Sequence, residues 1–188
     1  QQVPTSYSSG DSDNNYAYIV GNDHYPDVFI GRFSAENITH VETQVNRTLT
    51  YEQNPYVDFN WFDRASGIAS DQGPGDDNEY DYVHIRNIHD DLLNFTYTYA
   101  AELFDGSQGG NDAPGNPSPS LVAAEVNAGT SIINYTGHGS TTSWGSSGFS
   151  NSDVNSLTNN GMWPFIWSVV CVNGNFVGNT CFAEGWLR

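Results

Sequence analysis

The 188-residue chain has no lysine at all. Its five cations are all arginine and stand against 22 Asp and Glu, for a formal net charge of −17. A surface so poor in positive charge repels phosphate backbones and anionic headgroups, so nucleic-acid binding and docking on acidic membranes are not expected. Cations and basic substrates are the natural partners of such a surface. Cysteine is equally scarce. Cys171 and Cys181 are the only two, too few for a disulfide framework, and the five histidines show no spacing with them that would suit zinc. Long apolar runs are missing too, and none approaches the roughly 18–20 residues of a membrane span. Residues 1–10 are polar and lack the charged-then-apolar layout of a signal peptide.

What is present suffices for a core. Hydrophobic residues make up 37% and aromatics 14% of the chain, which argues against disorder despite the acidity. The length fits one domain, or one and a part. The acidic, lysine-free, Asn/Ser/Thr/Gly-rich composition suggests an extracellular protein. Asn37, Asn46, Asn94 and Asn134 lie in Asn-x-Ser/Thr triplets, at a density that Asn and Thr abundance explains by itself.

Residues 1–15 read as a polar, flexible lead-in. Tyr16–Val20 and Val28–Ile30 read as short strands stopped by turn signals at Gly21 and Gly31. Ser34 reads as the cap of a helix whose Ile38, Val41, Val45 and Leu49 share one face and which ends near Asn54-Pro55. Arg64–Ser70 reads as a small-residue strand, followed by an acidic turn-rich loop. From Tyr82 to about Phe104 the pattern is helical. A Gly/Pro/Asn loop over 106–118 precedes a short helix at Ser120–Asn127, ended by Gly129. Thr130–Tyr135 reads as a strand, Asn151–Thr158 as a short helix, and Trp163–Val170 as a buried strand. This alternation predicts an α/β fold with a mostly parallel sheet flanked by helices.

Three of these strands run into three reactive residue types. Asp71 follows the first, His138 the second and Cys171 the third. In a parallel sheet with right-handed crossovers the carboxyl ends of the strands collect on one rim, where ligand crevices form. A thiol, an imidazole and a carboxylate could therefore meet there. A cysteine nucleophile acts as its thiolate, and an adjacent imidazolium favours that form and later protonates the leaving amine. A carboxylate behind the ring fixes its tautomer. Gly137 and Gly139 allow close backbone approach around His138, and N–H groups near Gly139 and Cys171 could stabilise an oxyanion. Taken singly, each residue has a plainer reading. Cys171 could be a buried structural cysteine or pair with Cys181, His138 a loop residue, and Asp71 a solvated turn.

Longer blocks carry more information. Asn134-Tyr135-Thr136-Gly137-His138-Gly139-Ser140, Trp144-Gly145, Leu157-Thr158-Asn159, Pro164-Phe165-Ile166, Val170-Cys171-Val172-Asn173-Gly174 and Cys181-Phe182-Ala183-Glu184 resemble the core of the gingipain family of cysteine peptidases. Val20–Tyr25, Val28–Ser34 and Ile68-Ala69-Ser70 resemble its arginine-specific members. The resemblance covers about residues 16–188. It implies a caspase-like α/β fold and a secreted or cell-surface bacterial cysteine endopeptidase. Cys171 would be the nucleophile, His138 the general acid/base and Asp71 the third member. Asp81 would pair with an Arg guanidinium before the scissile bond. Read from position alone, Gly139 beside His138 and Trp144 six residues after it are candidates to line the substrate cleft, although Trp144, like Trp163 and Trp167, has the plainer reading of a core ring. The resemblance also implies structural Ca2+, held in the Asp23–Asp27 turn by Asp23, Tyr25 and Asp27, with Asp76, Asp77 and Glu79 as a second candidate set.

The same resemblance sets the expected organisation. Residues 16–60 would end an N-terminal α/β subdomain. Residues 61–188 would form a catalytic subdomain that continues beyond this chain, so the partners would be polypeptide substrates and the remaining segments of a processed precursor. The 106–119 loop is longer than the family pattern. A sortase-like transpeptidase of the same fold, or a non-catalytic surface module, would share much of this sequence. An inaccessible or disulfide-bonded Cys171 would favour the module.

Overall fold

A computed structural model of the chain describes residues 13–23, 25–53, 58–75 and 78–188. Its centre is a four-stranded, wholly parallel sheet in the order β2-β1-β3-β6, formed by β1 (Arg64–Ala69), β2 (Tyr99–Phe104), β3 (Ile132–Thr136) and β6 (Phe165–Val169). Two two-residue strands, β4 (Gly139–Ser140) and β5 (Ser143–Trp144), form a separate antiparallel hairpin. Helices α1 (Ile38–Gln53), α2 (Asp81–Phe95), α3 (Pro119–Ala128), α4 (Asn151–Val154) and α5 (Phe182–Leu187), with 3-10 helices at Asn14–Tyr16 and Phe59–Trp61, complete the described elements. The mostly parallel α/β architecture predicted from the sequence is the one observed.

Both faces of the inner strands are covered. Ile68, Leu103, Ile133 and Tyr135 pack with Val122 and Val126 of α3, Phe182 of α5, and Trp144 and Phe149. Ala69 and Phe104 face the other way, against Ile85 of α2. Gly67 lets α2 lie close, because a Cβ there would fall 2.3 Å from Ile85 Cγ2 and 2.5 Å from the His89 ring.

Several elements depart from the sequence reading. The helix read over Tyr82–Phe104 is a helix only to Phe95, after which β2 pairs in parallel with β1. Thr96, Tyr97 and Thr98 break the helix, and parallel pairing with β1 then overrides the helical preference of Ala100, Ala101 and Glu102. Tyr16–Val20 and Val28–Ile30 form no strand. A short 3-10 helix at Asn14–Tyr16 precedes irregular chain. The α1 cap is Asn37, whose Oδ1 accepts from the His40 N–H at 3.0 Å, while the Ser34 hydroxyl donates to Glu184 of α5 instead. The expected α1 apolar face, Ile38, Val41, Val45 and Leu49, is exposed. Arg47 ties α1 to α5, and buried Gln44 donates to the Ser34 and His40 carbonyls. The helix read over Asn151–Thr158 spans only Asn151–Val154.

Nor is β6 buried. It lies at the sheet edge, and Phe165, Trp167 and Val169 are each 59% exposed. On the α2 side a groove of about 300 Å3 runs between Ile88 and Leu92 and the β6 residues Trp167 and Val169. The lead-in over residues 1–12, the Asn54-Pro55 helix stop, and His24, Asp76 and Asp77 lie outside the described residues.

Candidate active site

Register decides which residues share the rim. Ala69 of β1, Thr136 of β3 and Val169 of β6 lie in one row across the sheet, with Phe104 of β2 beside Ala69. Asp71, His138 and Cys171 each come two positions after that row. Strands are about 4.8 Å apart, so all three leave the sheet at its carboxyl edge on neighbouring strands. The pairing extends past the strands, with the Ser70 N–H donating to Thr136 O at 3.0 Å and the Gly137 N–H to Val169 O at 3.3 Å. The strand order also reverses here. From β1 the chain passes first to β2 on one side, then to β3 and β6 on the other. In open α/β sheets ligands bind in the crevice at such a switch point, and Asp71 and His138 stand on its two sides.

The loops carrying His138 and Cys171 touch. A Cβ on Gly139 would lie 2.5 Å from Val170 Cγ2 and 3.3 Å from Asn173 Nδ2. His138 is held by its backbone, since its carbonyl accepts from the Tyr135 hydroxyl and, at 2.7 Å, from the Gly145 N–H. The Tyr135 oxygen in turn accepts from the Gly145 and Ser146 N–H groups, each at 3.1 Å. Cys171 and His138 are exposed, and neither cysteine forms a disulfide. The sulfur is therefore accessible, which the non-catalytic module reading would not require. Cys181 is buried, and burial pushes its thiol up from the ordinary value, which suits a structural cysteine.

Asp71 is exposed at the end of β1. Close by, Asp105 follows β2 with its N–H on Ala69 O at 2.9 Å. Burial holds the Asp105 carboxyl above its usual range against a hydrogen bond from Ser146, and the charges of Asp71 and Asp112 push it further up. Asp81, in the first turn of α2, accepts from the Ser70 hydroxyl, which ties its carboxylate to the same rim. Trp144 does not line a cleft. Its ring is fully buried, stacked on Tyr135 at 4.7 Å and 4° and edge-on to Phe182, and its Nε1 donates to Ser168 Oγ at 2.8 Å. Hydrophobic packing claims this residue and leaves it no surface for substrate.

The Asp23–Asp27 turn offers hard oxygen donors, as Ca2+ prefers. The Asp27 carboxylate accepts from the Ile19 and Val20 N–H groups at 2.7 and 2.9 Å, and the bonds from Val20 and Ile19 hold it below its usual value. Asp23 Oδ1 accepts from the Tyr25 N–H at 2.9 Å. One oxygen of each carboxylate is thus already engaged. Among the described residues no group of three or more His, Cys, Asp or Glu is arranged to hold a metal. These side chains fit Ca2+ only if backbone carbonyls and water complete the shell. Glu79 of the second candidate set engages His84 and Asn87.

Comparison with known proteins places the chain in a family. The sequence profile of peptidase family C25 matches residues 1–188. The chain belongs to this family. It is 42% identical to gingipain R2 of Porphyromonas gingivalis (strain ATCC BAA-308 / W83) over 192 residues, covering 100% of this chain and 25% of that protein. The chain thus spans a quarter or less of the length of the curated relatives it matches. The crystal structure of the Arg-specific cysteine proteinase gingipain R (RGPB) superposes with a TM-score of 0.87 at 41% identity, covering 95% of this chain and 40% of that one. A complex of the RgpB pro- and mature domains from P. gingivalis gives a TM-score of 0.86 at 41% identity, over 95% of this chain and 41% of that one. The C25 assignment bears out the gingipain resemblance read from the His138 and Cys171 blocks.

Sequence reasoning did not find Tyr135, Ser146, Ser168 or Asn173. Tyr135 and Asn173 lie inside the quoted blocks, yet nothing in a linear motif says that one holds the His138 carbonyl and the other bridges two loops.

Proposed function

We propose that this C25 chain carries the reacting groups of a cysteine endopeptidase that cuts after arginine. The observation that supports it most is the common register of Asp71, His138 and Cys171 at one rim, with the His138 and Cys171 loops in contact. In this reading the Cys171 thiolate attacks the peptide carbonyl carbon. The C–N bond breaks, the His138 imidazolium gives its proton to the leaving amine, and the acyl group remains as a thioester. His138 then takes a proton from water, the water oxygen attacks the thioester, and the C–S bond breaks to release the acid and the thiolate. Asp71 orients the ring. Backbone N–H groups near Gly139 and Cys171 receive the oxyanion. Asp81, held at the rim by Ser70, pairs bidentately with the substrate guanidinium.

The acidity of the whole chain suits basic substrates. An extracellular or cell-surface location fits the composition, and no helix among the described residues is long and apolar enough to cross a membrane. Further segments of a precursor are proposed partners, because a related structure was solved as a complex of pro- and mature domains. Ca2+ at the Asp23–Asp27 turn is proposed as a structural ion only, and no chemical step passes through it.

Cleavage of an Arg-ending fluorogenic peptide is the direct test. Cys171→Ala should abolish turnover. Asp81→Asn should lower kcat/KM for the Arg peptide on the order of a hundredfold, as removing one partner of a desolvated charged pair does. Undiminished cleavage by Cys171→Ala would refute the reading.

A further inference from the structure

Asn173 lies two residues after Cys171 and is 4% exposed, an unusual place for an amide. All of its side-chain bonds reach across to other segments. Its Nδ2 donates to the Ser140 carbonyl and, at 3.2 Å, to the Ser143 carbonyl, both in the hairpin that follows His138. Its Oδ1 accepts from Ser168 Oγ of β6 at 3.1 Å, and that same Ser168 oxygen accepts from Trp144 Nε1 of the hairpin. Its backbone carbonyl accepts from the Ala183 N–H at the start of α5 at 3.1 Å. One residue thus joins the Cys171 loop, the His138 hairpin and the edge strand through its side chain, and a helix through its backbone.

A second observation points to the same place. Val172, between Cys171 and Asn173, has φ +55°. For a β-branched residue this is a genuine outlier, and such conformations persist only where the surroundings over-determine them. The Val172 side chain is 53% exposed and packs too little to hold the backbone there. The Asn175 N–H closes a turn onto Val172 O at 3.1 Å, and Asn173 anchors that turn from inside. The chain therefore leaves β6, presents Cys171, turns through a strained residue and is locked at once.

We propose that Asn173 is a positioning residue, an amide clamp that fixes the Cys171 loop against the His138 hairpin and so sets the approach of sulfur to imidazole. The proposal rests on the cysteine-peptidase reading above. Asn173 touches no substrate. It acts by holding two loops that would otherwise be joined mainly by contacts such as Gly139 on Val170.

Alkylation of Cys171 by iodoacetamide at pH 6, followed by mass spectrometry, separates this proposal from the reading it rests on. Only thiolate reacts, and buried Cys181 does not compete. In the purified protein His138→Ala should slow alkylation. Asn173→Ala should slow it on the order of tenfold or more, as misplacement of reacting groups does. Asn173→Asp, of the same shape but without the donor, should do the same. Melting temperature, measured alongside, should fall by some degrees because buried hydrogen bonds are lost, with both variants still folded at the assay temperature, and peptide turnover should lose kcat while KM holds. Folded Asn173 variants that alkylate as fast as the parent, when His138→Ala is slow, overturn the clamp and leave the reading standing. A parent protein that reacts no faster than His138→Ala overturns the reading and the clamp with it. Should Asn173→Ala fail to fold, Asn173→Asp decides. Failure of both to fold overturns a positioning role and makes Asn173 a residue of the core.

Discussion

Val172 shows how a single residue can store strain beside a candidate nucleophile. At φ +55° it occupies backbone space that costs a β-branched residue about 1–3 kcal/mol. Glycine carries no such penalty there, though it adds unfolded-chain entropy of roughly 0.5–1 kcal/mol. The side chain is mostly exposed, so little packing is lost on its removal. Val172→Gly should therefore raise stability to urea by up to about 1 kcal/mol, with slower peptide turnover because the turn is less fixed. A clear loss of stability in urea melts would show that the conformation is not strained. Trp144 makes the opposite point. Its position six residues after His138 invited a role in substrate binding, but the ring is enclosed by Tyr135, Phe149, Phe182 and Trp186. A one-dimensional sequence cannot tell a platform from a core ring, since both demand an aromatic.

Helix α2 and strand β1 meet through an arrangement of the same economy. His89 is 2% exposed, both ring nitrogens lack a hydrogen-bond partner, and the ring sits on Gly67. Burial holds it below the ordinary imidazole value. The charges of Glu102 on β2 and Asp90 on α2 pull it up in part, and Arg86 on α2 pushes it down. The unfolded chain therefore binds this proton at a higher pH than the folded one. The stability His89 allows is complete above about pH 6.5 and falls, by at most about 1.4 kcal/mol per pH unit, as pH drops from there towards the folded-state value. His89→Leu should flatten this part of the profile in urea melts between pH 7.5 and 5.5, and an unchanged slope would remove His89 as its source. Asp105 acts in the opposite sense. Its carboxyl is raised, so the folded state holds that proton more tightly and gains stability as pH falls. Among the elements, β2 was misread because its small residues follow a strong helical run without Gly or Pro between them. The exposure of β6 was misread because an apolar strand has the same composition at an edge as at a centre.

For the molecule as a whole, 22 acids against five arginines means self-repulsion in the folded state. If Ca2+ occupies the Asp23–Asp27 turn, millimolar CaCl2 should raise the melting temperature more than NaCl at equal ionic strength, and Asp27→Asn should erase the difference. Equal shifts from the two salts would mean screening alone. The acidic surface and the parallel α/β plan were both legible beforehand, since charge follows from counting and strand-helix alternation follows from periodicity. So was the placement of Cys171, His138 and Asp71 just after three strands, because local periodicity marks where each strand ends.

The sequence by itself determined which reactive groups exist and that each follows a strand, because side-chain chemistry and local periodicity are properties of the chain. Only the tertiary structure decided that Ala69, Thr136 and Val169 form one row, that β6 takes the edge, that Trp144 is enclosed and that Asn173 ties two loops together. Those facts depend on pairing between residues far apart in the chain, and hydrogen-bond register and close packing are settled only when all the partners are in place.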